Sequence, residues 1–237
     1  MDMMHSFVFG DIKSSDYGVY VLNKPDRNYS IKRDFENVSI PGRNRDIHID
    51  HGRYLNTELS YQCVVMGNAD VVLSDFHAAL LSQIGYRRLQ DSISPDIYYS
   101  AKYTGNMTVN MAQGRDAARF DITFERSPER FLTQGENSIT IEDSGNIYNP
   151  TRYDARPLIR IIGAGTVVVN DTTIIWSGET EYVDIDCDMQ ECTYLGTNQN
   201  EYVEIEPYDF PTLVPGTNSI TASEDSSVIV TPRWWTV

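Results

Sequence analysis

The second half of this chain is nearly without cations. Of the 19 Lys and Arg in 237 residues, 15 fall in residues 1–134 against 17 Asp and Glu, a net charge of −2. Residues 135–237 hold 4 against 17, a net charge of −13. A surface of that sign does not neutralise phosphates, which excludes nucleic-acid binding by the acidic half. The asymmetry predicts two domains, 1–134 and 135–237. The boundary falls at Thr133-Gln134-Gly135, beyond which Gly, Asn and Ser become frequent.

Long apolar runs are also missing. Ile174-Ile175-Trp176 and the run from Val167 to Val169 are far too short to span a bilayer, so no membrane association is expected. Asp2, Asp11 and the polar run from Lys13 to Asp16 interrupt the N-terminus, which predicts folding in a cytoplasm without a secretory leader. Cysteine is scarce. Three in a reducing compartment argue against a disulfide framework. Cys63 lies in the alternating run Leu59, Tyr61, Cys63, Val65 and reads as a small buried hydrophobe. Cys187 and Cys192 have four residues between them and no second pair, so they form neither a zinc ribbon nor a redox C-x-x-C.

What the chain does have is short-period alternation. Strands are predicted at Phe7 to Phe9, Val19 to Leu22 and Ile47 to Asp50, the last turning at His51-Gly52. Further strands follow at Leu59 to Met66 and Ala118 to Phe124. One helix stands out over 69–84. Asn68 is its candidate cap, Val72, Phe76, Ala79 and Leu80 form its apolar face, and Gly85 ends it. In the second half, Val167 to Trp176 reads as a hairpin turning at Asn170-Asp171. Val183, Ile185 and Cys187 face one way and Asp184, Asp186 and Asp188 the other. Val203 and Ile205 alternate with Glu204 and Glu206 in the same manner, and the last clear strand runs from Val228 to Val230. The fold class is mainly β with one notable helix, the second half a sandwich or jelly roll.

Tests for chemistry fail one after another. A calcium loop starting at Asp184 needs Gly at its sixth position and Glu at its twelfth, where this chain has Met189 and Leu195; the aspartates read as a solvated strand face. His48 and His51 have no second ligand pair, since His5 and His77 are remote in sequence, and read as polar hairpin residues. There is no nucleophile elbow or phosphate-binding loop, and Gly163-Ala164-Gly165 is a turn. Trp176, Trp234 and Trp235 offer aromatic platforms for carbohydrate, and Glu179/Glu181 and Glu204/Glu206 are acidic pairs. Residues two apart on a strand share a face, however, and do not oppose each other across a cleft. Core packing or an interface is the better reading for the tryptophans. No catalytic, cofactor-binding or metal-binding residue is assigned.

Several segments taken together are familiar: Ser14 to Val19, Phe35 to Asp46, Gly85 to Asp91, Pro95 to Tyr99, Phe120 to Phe131, Asn149 to Thr151, Arg156 to Ile159 and Thr231 to Trp235. In this order and spacing they resemble the distal tail protein (Dit) family of long-tailed, non-contractile phages of Gram-positive hosts. The resemblance implies a tail-tube-like N-terminal domain that builds a homohexameric ring around a channel, and a peripheral galectin-like β-sandwich. It also implies a place at the virion tail tip. The partners would be the tail tube protein, the tape-measure protein, and tail-associated, receptor-binding or baseplate proteins. DNA would pass through the channel without specific binding. The alternative is a module that attaches the virion to cell-wall saccharide. Trp176 and Glu179 echo the W-x-x-E element of a galectin sugar site and are the candidate carbohydrate contacts. The arginine that should follow is Glu181 here, and no H-x-N-x-R element occurs upstream.

Overall fold

The computed structural model describes residues 4–22, 31–112 and 116–237, which divide into two compact units meeting in sequence at Arg130/Phe131. The first unit holds β1 (Phe7–Phe9), β2 (Ile12–Lys13), β3 (Val19–Val21), β4 (Arg33–Val38), β5 (Ile47–Tyr54) and β6 (Thr57–Met66). After helix α1 (Ala69–Ser82) come β7 (Arg87–Asp91), β8 (Ile97–Met111) and β9 (Ala117–Arg126). Its main sheet is ordered β2-β1-β7-β8-β9-β6-β3, while β4 and β5 form a separate two-stranded ribbon.

Helix α1 packs on that sheet through Ala69, Leu73, Phe76 and Leu80. The core is aromatic. Phe7 stacks on Tyr61 at 5.1 Å between ring centroids and meets Phe124 edge-on at 5.5 Å; Phe9 lies 4.9 Å from Phe124. Such pairs add to the area they bury. Buried Asp91 is satisfied within this core. It accepts the Tyr61 hydroxyl at 3.1 Å and the backbone N–H of Ile93 and Ser94 at 3.0 and 2.8 Å. Burial, followed by the Asp91 charge, raises the Tyr61 hydroxyl well above the usual phenol range.

Three local expectations are corrected. Asn68 adopts a left-handed conformation, and its side chain makes no cap bond. Its carbonyl oxygen accepts the N–H of Val71 and Val72 instead. The helix also stops at Ser82, before the expected 84: Gln83 turns extended, with ψ of 97°, and its N–H closes on the Leu80 carbonyl. His51-Gly52 is not a turn. Strand β5 runs through it to Tyr54, Gly52 takes a φ of 72°, and the register against β4 shifts between Arg33 and Phe35. This is a bulge, the other local structure that glycine permits.

The chain crosses between units at β10 (Arg130–Leu132). The second unit then contains β11 (Ile139–Ile141), β12 (Ser144–Asn149), β13 (Leu158–Ile162), β14 (Gly165–Val169), β15 (Thr172–Trp176) and β16 (Tyr182–Asp186). It closes with β17 (Glu191–Tyr194), β18 (Thr197–Asn198), β19 (Val203–Glu206), β20 (Gly216–Ala222), β21 (Ser227–Thr231) and β22 (Trp235–Thr236). Two antiparallel sheets, β11-β21-β13-β16-β17-β18 and β12-β20-β14-β15-β19, enclose one core as a sandwich. The β14–β15 hairpin turns at Asn170, whose φ is 52°. Its side chain donates to Asn218 Oδ1 at 2.8 Å and accepts the Ser219 N–H at 3.0 Å, tying the turn to β20.

Candidate functional site

The carbohydrate candidates come first. Trp176 is 1% exposed, inside the core with Val167, Ile174 and Ile220. Gly178 lies against the indole nitrogen, and a Cβ there would collide with it. A ring so enclosed cannot stack on a sugar. Glu179 is exposed, so the expected pairing of Trp176 with Glu179 as a contact surface does not form. Trp234 is buried too, and Trp235 packs on Tyr153 at 4.5 Å while its indole N–H donates to the Asp154 carbonyl. The strand period puts Trp176 in line with Ile174, which faces inward opposite Val167, and that signal outranks the motif echo.

The acidic row Asp184, Asp186, Asp188 differs from a freely solvated face. Arg160 grips Asp184 with two nitrogens at 2.7 and 2.8 Å. Arg233 grips Asp186 in the same manner at 2.7 and 2.9 Å, and Arg156 reaches Asp188 at 3.1 Å. Three of the domain's four arginines are thereby committed to one strand and its continuation. Burial alone would raise the Asp186 carboxyl, but Arg233 and the N–H groups of Met189 and Asp188 outweigh it and hold the group below the usual range.

The three cysteines are buried and free, and for Cys63 and Cys187 the burial follows the alternation of their strands. Burial pushes the thiol up to about 12 for Cys63 and about 11 for Cys192, far from thiolate chemistry at neutral pH. Among the described residues, no three His, Cys, Asp or Glu side chains are grouped to hold a metal ion. His48 instead bonds Asn37 at 3.0 Å, and His51 lies 3.4 Å from Asp34. A depression of about 440 Å³ is lined by Gln62, Cys63, Asn110, Arg119, Phe120 and Asp121; burial first and then the Asp121 charge push its Cys63 thiol up, away from thiolate chemistry. Among the described residues, no helix is long and apolar enough to cross a membrane.

The most unusual surface is the β4–β5 ribbon. Val38 stands opposite Ile47, and Glu36 opposite Ile49 on the same face; Phe35 sits on the other face, 4.6 Å from the His48 ring. Phe35, Ile47, Ile49 and Val38 are 48%, 45%, 43% and 38% exposed. Charge pairs brace the ribbon at its base: Arg33–Asp50 and Arg53–Asp34, each at 2.7 Å. Hydrogen bonds hold both carboxyls below their usual range, Asp34 chiefly through Arg53 and Asp50 chiefly through the Gly52 N–H. A hairpin on its own is marginal in water, and apolar side chains exposed on both faces call for cover. Composition did not disclose this ribbon, because its strands alternate like any half-buried pair; what reveals it is that, among the described residues, no third strand pairs with it.

Comparison with known proteins gives the same picture at two scales. Residues 164–234 match the family model described as siphovirus-type tail component, C-terminal domain (SPP1_Dit). The whole fold is similar to the SPP1 Dit (gp 19.1) protein, a structure presented as a paradigm of the hub adsorption apparatus in phages infecting Gram-positive bacteria. The TM-score is 0.70 at 13% identity, over 98% of this chain and 99% of that one. A chain of the phage p2 baseplate, in its activated conformation with Sr, is similar at a TM-score of 0.51 and 12% identity, over 96% and 97%. No curated protein matches by sequence.

Proposed function

We propose that this chain is a distal tail protein of the Dit type, a structural hub of a phage or prophage tail. The observation that carries the reading is the likeness of fold along 98% of the chain, joined to the family match at residues 164–234. The chain would act by assembly, with no catalytic step. It would sit at the virion tail tip after synthesis in the host cytoplasm, linking the tail tube and tape-measure proteins to the baseplate and receptor-binding proteins. The domain expectation also continues as part of this proposal, with an N-terminal ring-building part and an acidic peripheral part.

The ring is supported by the β4–β5 ribbon. In a homohexamer each ribbon would cover its apolar faces on the next subunit, a head-to-tail contact that closes by rotation. A near-neutral first half tolerates this crowding of like copies, whereas a net of −13 suits a domain held at the periphery. DNA would cross the channel without being gripped. The saccharide-binding alternative loses its platform with Trp176 in the core.

Electron microscopy of the purified full chain tests the ring. Six-fold rings are expected from the native chain. The double change Phe35→Asp and Ile49→Asp should abolish them while leaving the melting temperature of the dissociated subunit unchanged. Rings that persist with these changes would refute the ribbon's role.

A further inference from the structure

We infer that the free edge of β12 is a docking site for an extended, lysine- or arginine-bearing segment of another protein, which adds to the sandwich as a further strand. This inference does not depend on the ring. It rests on how differently the edges of the second unit are built.

Four strands end its two sheets: β11, β18, β12 and β19. Strand β18 has two residues and β11 has three, too short to template a partner. Strand β19 carries Glu204 and Glu206, and Pro207 follows it. Short length, charge and proline are the usual protections of an open edge. Strand β12 is neither short nor charged, and its proline, Pro150, lies beyond the strand as Pro207 lies beyond β19. Its six residues, Ser144 to Asn149, include no charge and no proline, and all six are in register with β20.

The backbone of β12 is also oriented for the task. The Ala222 N–H donates to the Asp143 carbonyl at 2.7 Å, so Asp143 and, by antiparallel alternation, Gly145, Ile147 and Asn149 bond toward β20. Ser144, Asn146 and Tyr148 therefore turn N–H and C=O outward, and their side chains are exposed, Tyr148 by 68%. This row of alternating donors and acceptors is what an added strand needs; side chains that alternate along it supply selectivity.

Charge selects the occupant. Glu142 and Asp143 precede the edge, and Glu224 and Asp225 follow the β20 residue paired with Asp143; all four are exposed. A second copy added in parallel would set these acidic groups side by side, and in either direction two halves of net charge −13 repel each other. A segment with an uncharged extended core and basic residues beyond it meets both the ladder and the field.

Hydrogen exchange and fluorescence anisotropy on the full chain test this. The probes are a peptide of alternating threonine and valine ending in lysines, and its counterpart ending in glutamates. The lysine peptide should bind and slow exchange at Ser144, Asn146 and Tyr148; the glutamate peptide should not. Asn146→Pro removes one outward N–H and spares the β20 bonds, so binding should weaken about tenfold. Retained protection at Gly145 and Ile147 reports that this variant is folded. Asn146→Lys is the second variant, and it should repel the lysine peptide. Equal binding of both peptides, protection elsewhere, or full binding by both variants would overturn the proposal. So would protection at these amides that rises with protein concentration alone, since a second copy would then be the occupant.

Discussion

Replacing Arg233 with alanine should destabilise the second unit in a way that depends on pH. Arg233 holds Asp186 through two short bonds, with side-chain exposures of 30% and 24%. Exposed pairs contribute roughly 0–1 kcal/mol, and breaking a buried pair costs about 3–5 kcal/mol. A bidentate pair at this intermediate burial is expected to cost about 1–2 kcal/mol. For a unit of this size that corresponds to a fall of about 5–10 °C in melting temperature. The backbone does not complicate the comparison. Residue 233 has a φ of 57°, as unfavourable for alanine as for arginine, and its N–H bond to the Gly135 carbonyl at 2.8 Å is kept. The folded Asp186 carboxyl is depressed, so its contribution is fully present above its unfolded value of about 3.9 and is lost as pH falls through the lower folded value. The gap between native and variant chains, followed by calorimetry, should be full at pH 7 and should close on the acid side of about pH 4. An identical gap at neutral and strongly acid pH would refute the pairing argument and assign the loss to the packing of the arginine stem.

Three other outcomes are expected. Cys63 and Cys192, with thiols pushed up to about 12 and about 11, and Cys187, raised further by burial, should resist a disulfide reagent in the native chain at pH 8 and react in denaturant; rapid native labelling would contradict their burial. Trp176→Ala should cost about 3–5 kcal/mol in urea unfolding, enough to unfold a marginal domain, and Trp176→Phe markedly less; an unchanged midpoint would place the ring outside the core. Gly135→Ala would drive a Cβ into the backbone nitrogen of Trp234 and should cost about 1–3 kcal/mol by thermal melting, whereas a neutral result would show that this approach relaxes freely.

The mainly β fold with one helix was legible in the sequence because period-2 alternation and a single 3.6-period segment are local signals. Val183, Ile185 and Cys187 are buried as their alternation required. The buried helix face is turned slightly from the one its apolar spacing predicts: Leu73 and Ala69 are buried, whereas Val72 and Ala79 are only partly so, since the face is decided by where the sheet sits. Partners distant in sequence were not legible. Nothing near Asp184 announces Arg160, and Arg233 comes 47 residues after Asp186, so a row that reads as solvated is in fact clamped. The assembly surface was hidden for the same reason. Phe35 and Ile49 look like ordinary strand residues, yet among the described residues their ribbon pairs with no other strand and both side chains stay exposed.

The most direct test of the central claim is native mass spectrometry of the full chain at high concentration, alone and with its tail partners. The hub account predicts a closed assembly of six copies. A chain that remains strictly monomeric under both conditions would contradict it.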